Sequence, residues 1–361
     1  MSGSGCTMNN IGMKSGFLED DVTLLLKDIS GLVEPLPTKE RERLIQSGTH
    51  YCEMLPLEYR PSEQYIQIYE KSLSVFGQAT SDAVARVSDK IVASKGKDVV
   101  IVSLARAGTP IGVLIRRYIR KKYHIECPHY SISIIRDRGI DRNAMKYILD
   151  HHDPKDVQFV DGWTGKGAIY KELRKELLSF AGISDNLAVL SDAAGLTDLC
   201  GTHEDIMIPS SCLNSTICGL ISRTFLRDDI IGENDFHGAA YYKELVSEDR
   251  TYEFIDYIER LFCFDLLPDY EESYVSGMED VNRIAAAYNI QNINFIKPGI
   301  GETTRVLLRR YPWKVLVDER YMQSEELAHI QRLAMEKSVE IEPFKMKNYK
   351  CCGLIKQLSD V

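Results

Sequence analysis

The chain lacks any run of about eighteen apolar residues and any charged-then-apolar leader, so neither a membrane-spanning helix nor a secretory signal is expected, and the protein reads as cytoplasmic. It also lacks a Cys-x-x-Cys pair. Its nine cysteines are scattered singly apart from Cys351-Cys352, which argues against a zinc site or a redox dithiol and for reduced thiols. None of the eight histidines has the helical spacing of a zinc protease, so no structural metal is expected. With 361 residues, 44 % hydrophobic and 27 % charged, there is material for two globular domains. The net charge of −9 is uneven: residues 277–361 carry 13 basic and 11 acidic side chains, leaving the excess acid on the first 276 residues.

The chain is organised around residues 157–171, a short apolar strand ending at Asp161, a loop Thr164-Gly165-Lys166-Gly167, and a helix from near Ala168. Glycines let the backbone approach an anion, helix N-terminal amides point outward, and Thr164 and Lys166 add donors. The spacing from Gly162 to Gly165 is too short for a nucleotide triphosphatase loop. An ordinary turn with Asp161 as a cap is the alternative.

A second strand-turn-helix follows at residues 98–119, with Arg106, Ala107, Gly108 and Thr109 in the turn; an exposed arginine at a helix N-terminus is the plainer reading. Residues 129–135 read as a strand, followed by Arg136, Arg138 and Gly139, either a mobile basic lid or a solvated salt-bridge turn. Strands near 98, 130, 157 and 187 with intervening helices imply a right-handed, mostly parallel α/β sheet, whose ligands gather beyond the carboxyl ends of the strands. Residues 17–29, 39–51 and 61–75 read as helices. Between the last two, His50 and Cys52 suggest a cysteine-hydrolase pair, but neighbours on one element rarely face each other, and a packed cysteine is the blander reading. Asn214, Arg223 and His237 lie in a polar, hydroxyl-rich segment, where helix capping uses the same residue types.

The expected organisation is a disordered stretch over 1–16, one domain over 17–263, an acidic linker over 264–279 and a small α/β/α domain over 280–361. In the last, Lys297, Gly299, Gly301, Glu302, Arg305 and Arg309 form a glycine-opened basic helix start suited to phosphates, or an ordinary basic helix.

The strand-end acid with Thr-Gly-Lys resembles the phosphate loop of type I phosphoribosyltransferases, and the Arg-Ala-Gly turn their diphosphate loop. The Gly-x-x-Glu-Thr-Thr-Arg loop is similar to the RNA-contact loop of the Pelota superfamily. Together with Asp21-Val-Thr-Leu-Leu-Leu-Lys27 and the 131–141 segment, these motifs resemble one family: phosphoribosyltransferases with a C-terminal Pelota-type RNA-binding domain, associated with tellurium-resistance and stress operons and also carried under the label cysteine protease StiP. That resemblance implies a type I phosphoribosyltransferase fold. It implies transfer from phosphoribosyl pyrophosphate, with magnesium held on substrate oxygens, to an unidentified acceptor. Asp161, Arg136 and Arg138 would be catalytic, residues 106–109 and 164–167 would bind substrate, and Asn214, Arg223 and His237 would line an acceptor hood. RNA is the implied partner of the C-terminal loop, and self-association is left open. Two other readings stand beside it: a cysteine hydrolase using Cys52, and a noncatalytic RNA-binding, sugar-phosphate-sensing regulator.

Overall fold

The computed structural model describes residues 12–58, 60–266 and 276–356. Its larger sheet has six strands in the order Thr23–Leu24, His129–Ile132, Val100–Leu104, Val157–Trp163, Ala188–Ser191 and Cys200–Thr202, all paired in parallel. All five residues of Val100–Leu104 are buried, as required of a central strand covered on both faces. One face packs on helices Glu63–Lys95, Gly108–Tyr123 and Thr251–Arg260, through Val84, Val87, Ile111, Ile115 and Phe254. The other packs on Arg142–Leu149 and Ala168–Leu177, through Met145, Ile148, Leu173 and Leu177.

The C-terminal part forms a second sheet in the order Ile296–Pro298, Cys351–Ile355, Pro312–Val317 and Glu340–Pro343. Helices Met278–Ala287, Ile300–Arg309 and Ala328–Glu336 cover it. The architecture is therefore mixed α/β with a parallel six-stranded sheet and a small C-terminal domain. Among the described residues no helix is long and apolar enough to cross a membrane.

Three expectations change. Residues 17–29 are not a helix but hold the edge strand Thr23–Leu24 and the short strand Lys27–Asp28. Leu24, Leu25 and Leu26 are buried in succession, which suits a strand enclosed on both sides better than a helical stripe. The helix expected to stop near 75 runs 33 residues, from the cap Ser62 to Gly96, whose φ of +73° ends it. Residues 39–51 hold a shorter helix, Thr38–Gln46, and then the turn Tyr51–Glu53. Of the N-terminal stretch, residues 1–11 lie outside those described, whereas Met13 and Gly16 donate backbone hydrogen bonds to Leu24 and Gly219. Of the expected linker, residues 267–275 lie outside the described residues, and the helix beyond it starts at Met278.

The edge strand is held by Arg117. Its Nε and Nη2 donate to the two oxygens of Asp21 at 3.0 and 2.6 Å, and Nη1 reaches Asp256 and Glu259. Burial would raise the Asp21 carboxyl, but bonds from Arg117 and from Tyr252 at 2.8 Å outweigh it and hold the group below its ordinary range.

The two domains meet at Asp205, a buried carboxylate on the larger one. It accepts the backbone N–H of Ile300 at 3.1 Å and of Lys350 at 2.9 Å. The Tyr349 hydroxyl donates to the Gly165 carbonyl at 2.8 Å, and Asn348 to that of Ala193 at 3.1 Å.

Asp21→Asn is expected to cost about 2 to 4 kcal/mol at neutral pH, because it leaves a buried guanidinium short of charge. The depressed folded-state value makes this contribution present above about pH 4 and lost as the pH falls through the folded value, so the wild-type denaturant midpoint should fall more steeply below pH 4 than the variant's. Asp205→Ala is expected to lower the midpoint by about 2 to 4 kcal/mol, since two buried N–H groups lose their acceptor.

Candidate functional site

The strand-end loops converge with the C-terminal domain on one cavity of about 870 Å³. The larger domain supplies Tyr51, Arg136, Asp161, Trp163, Thr164, Gly165, Lys166 and Arg223; the smaller supplies Asn294, Phe295, Lys297, Glu302, Arg305 and Arg310. Asp161 lies inside the strand Val157–Trp163, which runs two residues past the end expected for it, and its Oδ1 accepts the Gly162 N–H at 2.8 Å. Burial pushes its carboxyl up to about 6, against the lowering field of Arg305. Lys166 donates to the backbone carbonyls of Ile293 and Ile296, and burial, then Lys297, brings its ammonium down to about 7. Burial also lowers Lys297 to about 8, opposed by Glu302. Glu302 goes the other way: burial would raise it, but Arg305 at 2.8 Å and Lys297 hold it at about 2. Arg305 stacks 4.5 Å over the Trp163 ring.

Other residues expected at the site are placed elsewhere. Arg106 is buried, donating to the Ile221 carbonyl at 2.7 Å and lying 3.5 Å from Glu58, because the turn after Val100–Leu104 points it under the 215–222 segment rather than into the cavity. Thr109 is bonded to Ser131 at 2.7 Å, and Gly108 lies so close to the Val160 carbonyl that a side chain would not fit. Ala107 precedes that helix as its cap, and Gly167, with φ of +80°, packs on Leu196. Asn214 accepts from Arg309, and His237 Nδ1 faces Ser133 Oγ at 2.8 Å, so neither lines the cavity. Gly299 has φ of +88° and faces Asp205, while Gly301 packs on the Trp163 indole.

The expected basic lid is an antiparallel hairpin, Ile134–Ile135 with Gly139–Ile140, turned at Asp137 with φ of +65°. It is tied down: the Arg136 N–H donates to the Tyr51 hydroxyl at 2.9 Å, and Arg138 pairs with Glu53 at 2.7 Å. Under it lies the turn Tyr51–Glu53. His50 Nδ1 is 3.0 Å from Cys52 Sγ, so the expectation that these neighbours would not face each other is corrected. His50 is extended and Cys52 opens into a tight turn, which brings both side chains to one side. Cys52 is 1 % exposed, with the Leu226 carbonyl 3.5 Å from its sulfur. Burial pushes the thiol up to about 11, with Arg138 and Arg223 opposing; burial and Arg138 lower the His50 imidazole. The pair rests neutral, S–H beside N. The ring of Tyr51 separates it from the cavity, 4.4 Å from the His50 ring and 4.5 Å from the Arg223 guanidinium.

A second cysteine stands near a histidine at the far edge of the sheet. Cys200 Sγ is 3.6 Å from His203 Nε2, and His203 Nδ1 is 3.4 Å from Asp192 Oδ2. Sequence reading missed this cluster, although Cys200 and His203 are three residues apart. It also missed Tyr51, Trp163 and Asp205, whose importance arises only from contacts distant in sequence.

Residues 15–259 match the family model described as tellurite-like stress resistance cysteine protease StiP, and residues 275–357 match that of the Pelota RNA-binding domain. A relative from Acinetobacter baylyi named cysteine protease StiP is 37 % identical over 369 residues, covering 96 % of this chain and 95 % of its own. These findings overturn the expectation of a phosphoribosyltransferase: the family and the relative are named for cysteine proteolysis, not for pentosyl transfer. By the extent of both matches, the chain belongs to the StiP family.

Proposed function

We propose that this protein is a cysteine peptidase in which Cys52 is the nucleophile and His50 its base. The observation that carries the reading is the 3.0 Å approach of His50 Nδ1 to Cys52 Sγ in a chain of the StiP family. In this reading His50 takes the thiol proton as sulfur attacks a peptide carbonyl. The C–N bond then breaks, the imidazolium returns its proton to the leaving amine, and water activated by the same imidazole hydrolyses the thioester. Arg138 and Arg223 favour the developing thiolate.

The neutral resting pair and the covered sulfur describe a closed enzyme. Leu226 holds the cover, its N–H donating to the Cys52 carbonyl at 3.0 Å, so a peptide reaches the sulfur when this segment draws back. For the scaffold, we infer the type I phosphoribosyltransferase kind of sheet, as an architecture and not as an activity. The all-parallel strand order and the loops gathered at the strands' carboxyl ends support it.

Hydrolysis of a fluorogenic peptide or casein by the wild type is expected to disappear in Cys52→Ala and to fall about 10²- to 10⁴-fold in His50→Ala. Cys200→Ala should retain it; the reverse pattern would move the nucleophile to the Cys200–His203 pair. Alkylation of Cys52 by iodoacetamide, followed by peptide mass spectrometry, should rise about tenfold per pH unit between pH 7 and 10, because the thiol at about 11 is protonated throughout. A rate that plateaus at neutral pH would mean a preformed thiolate and would count against the neutral pair.

A further inference from the structure

A group of buried guanidinium side chains stands beside the Cys52 turn, and one of them is unpaired. Arg223 opens onto the interdomain cavity with its guanidinium 4.5 Å over the Tyr51 ring, and among the described residues no hydrogen-bond acceptor or carboxylate meets it. Arg41, Arg106 and Arg310 surround it, and burial followed by Arg41 brings it down to about 9. Arg309 joins the group. Two carboxylates face these five cations, and both are engaged: Glu42 is bonded to Arg310 at 2.7 Å, and Glu58 lies 3.5 Å from Arg106. Arg41 is 2 % exposed and its Nε has no partner. Cations enclosed without counter-charge are unfavourable unless an anion joins them.

The place of Arg223 ties it to the Cys–His pair. The Tyr51 ring lies between the guanidinium and the His50 ring, 4.5 Å from one and 4.4 Å from the other, so the two are no farther apart than about 9 Å. An extended peptide advances about 3.3 Å per residue, so a chain seated on Cys52 brings a side chain to Arg223 within three residues. Arg223 also stands three residues before Leu226, whose N–H and carbonyl cover the Cys52 turn. A ligand that engages Arg223 therefore acts on the same segment that must draw back from the sulfur. The neighbouring cations are already matched, Arg138 by Glu53 at 2.7 Å and Arg136 by Asp137 at 3.0 Å. The anions a peptide can offer within its sequence are aspartate and glutamate, and a carboxylate fits the paired donors of a guanidinium.

We propose that the peptidase selects acidic peptides, with Arg223 receiving the carboxylate of an aspartate or glutamate within three residues of the scissile bond. The inference rests on the peptidase reading and adds to it a substrate class and a specificity residue. A neutral side chain at that position leaves the guanidinium buried and unpaired, and a basic one adds a further cation to the group. Discrimination thus comes from repulsion as well as attraction.

The test compares the full chain's hydrolysis of fluorogenic octapeptide mixtures that carry Glu, Gln or Lys at every third position. Both peptide ends are blocked, so a terminal carboxylate cannot be the source of a preference. The kcat/KM for the Glu mixture is expected to exceed that for the Gln mixture about tenfold or more, with the Lys mixture slowest. In Arg223→Met the Glu-to-Gln ratio should fall to about one, and in Arg223→Lys much of it should remain. Each ratio is taken within one protein, so a loss of overall rate or of folded material cancels. Equal rates for Glu and Gln in the wild type would overturn the inference and leave the peptidase reading standing. So would a ratio that Arg223→Met leaves unchanged. If no mixture is cut, fluorescence anisotropy of the same mixtures on the wild type decides. Glu-selective binding that Arg223→Met abolishes would keep the acidic-peptide site and refute the peptidase reading; binding without selectivity, or none, would overturn both.

Discussion

The arrangement depends on one buried carboxylate serving two backbone amides across a domain boundary. Asp205 leaves the larger sheet and accepts from Ile300 and Lys350, which fixes the start of helix Ile300–Arg309 and the approach to strand Cys351–Ile355. Burial pushes its carboxyl up to about 6, so the amides of the smaller domain are what make its charged form tolerable. Once that helix is fixed, Glu302 and Arg305 have nowhere to point but toward Trp163 and Gly165. The cavity is thus a consequence of docking and belongs to neither domain alone.

The turn carrying Cys52 is fixed in a similar way by distant chain. Leu226 and Arg227 hold its backbone carbonyls, the hairpin at Arg136 is tied to Tyr51, and Arg138 closes on Glu53. Such strapping sets the histidine against the thiol and also hides the sulfur. Access to the sulfur and its approach to the imidazole are therefore opposed in the resting structure.

Much of the larger sheet was legible because its central strands are continuous apolar runs followed by glycine-containing turns, a pattern produced when helices cover both faces. The loop from Asp161 to Lys166 could be read for the same reason, since ligands gather where such strands end. The edge strand at Thr23 was not legible, because Phe17, Leu18, Val22, Leu25, Leu26 and Ile29 around it also fall at helical spacing. Strand Cys351–Ile355, central to the smaller sheet, was missed because two cysteines and a glycine carry little strand signal by themselves. The Cys52 pairing was discounted by a rule that holds along regular helices but not where an extended residue enters a tight turn. The phosphoribosyltransferase reading rested on loops placed at strand ends, and placement of that kind describes a scaffold, not a reaction.

The hydrophobic interior ignores the boundary between the two matched segments. Val84, Val87 and Ile91 of helix Glu63–Lys95 belong to the same buried cluster as Leu307, Ile330 and Leu333 of the C-terminal part. Two segments matched by separate family models thus share one solvent-excluded core. A truncated gene ending near residue 260 would leave bare the apolar surface that the missing half should cover, and its product would be prone to stick to other chains.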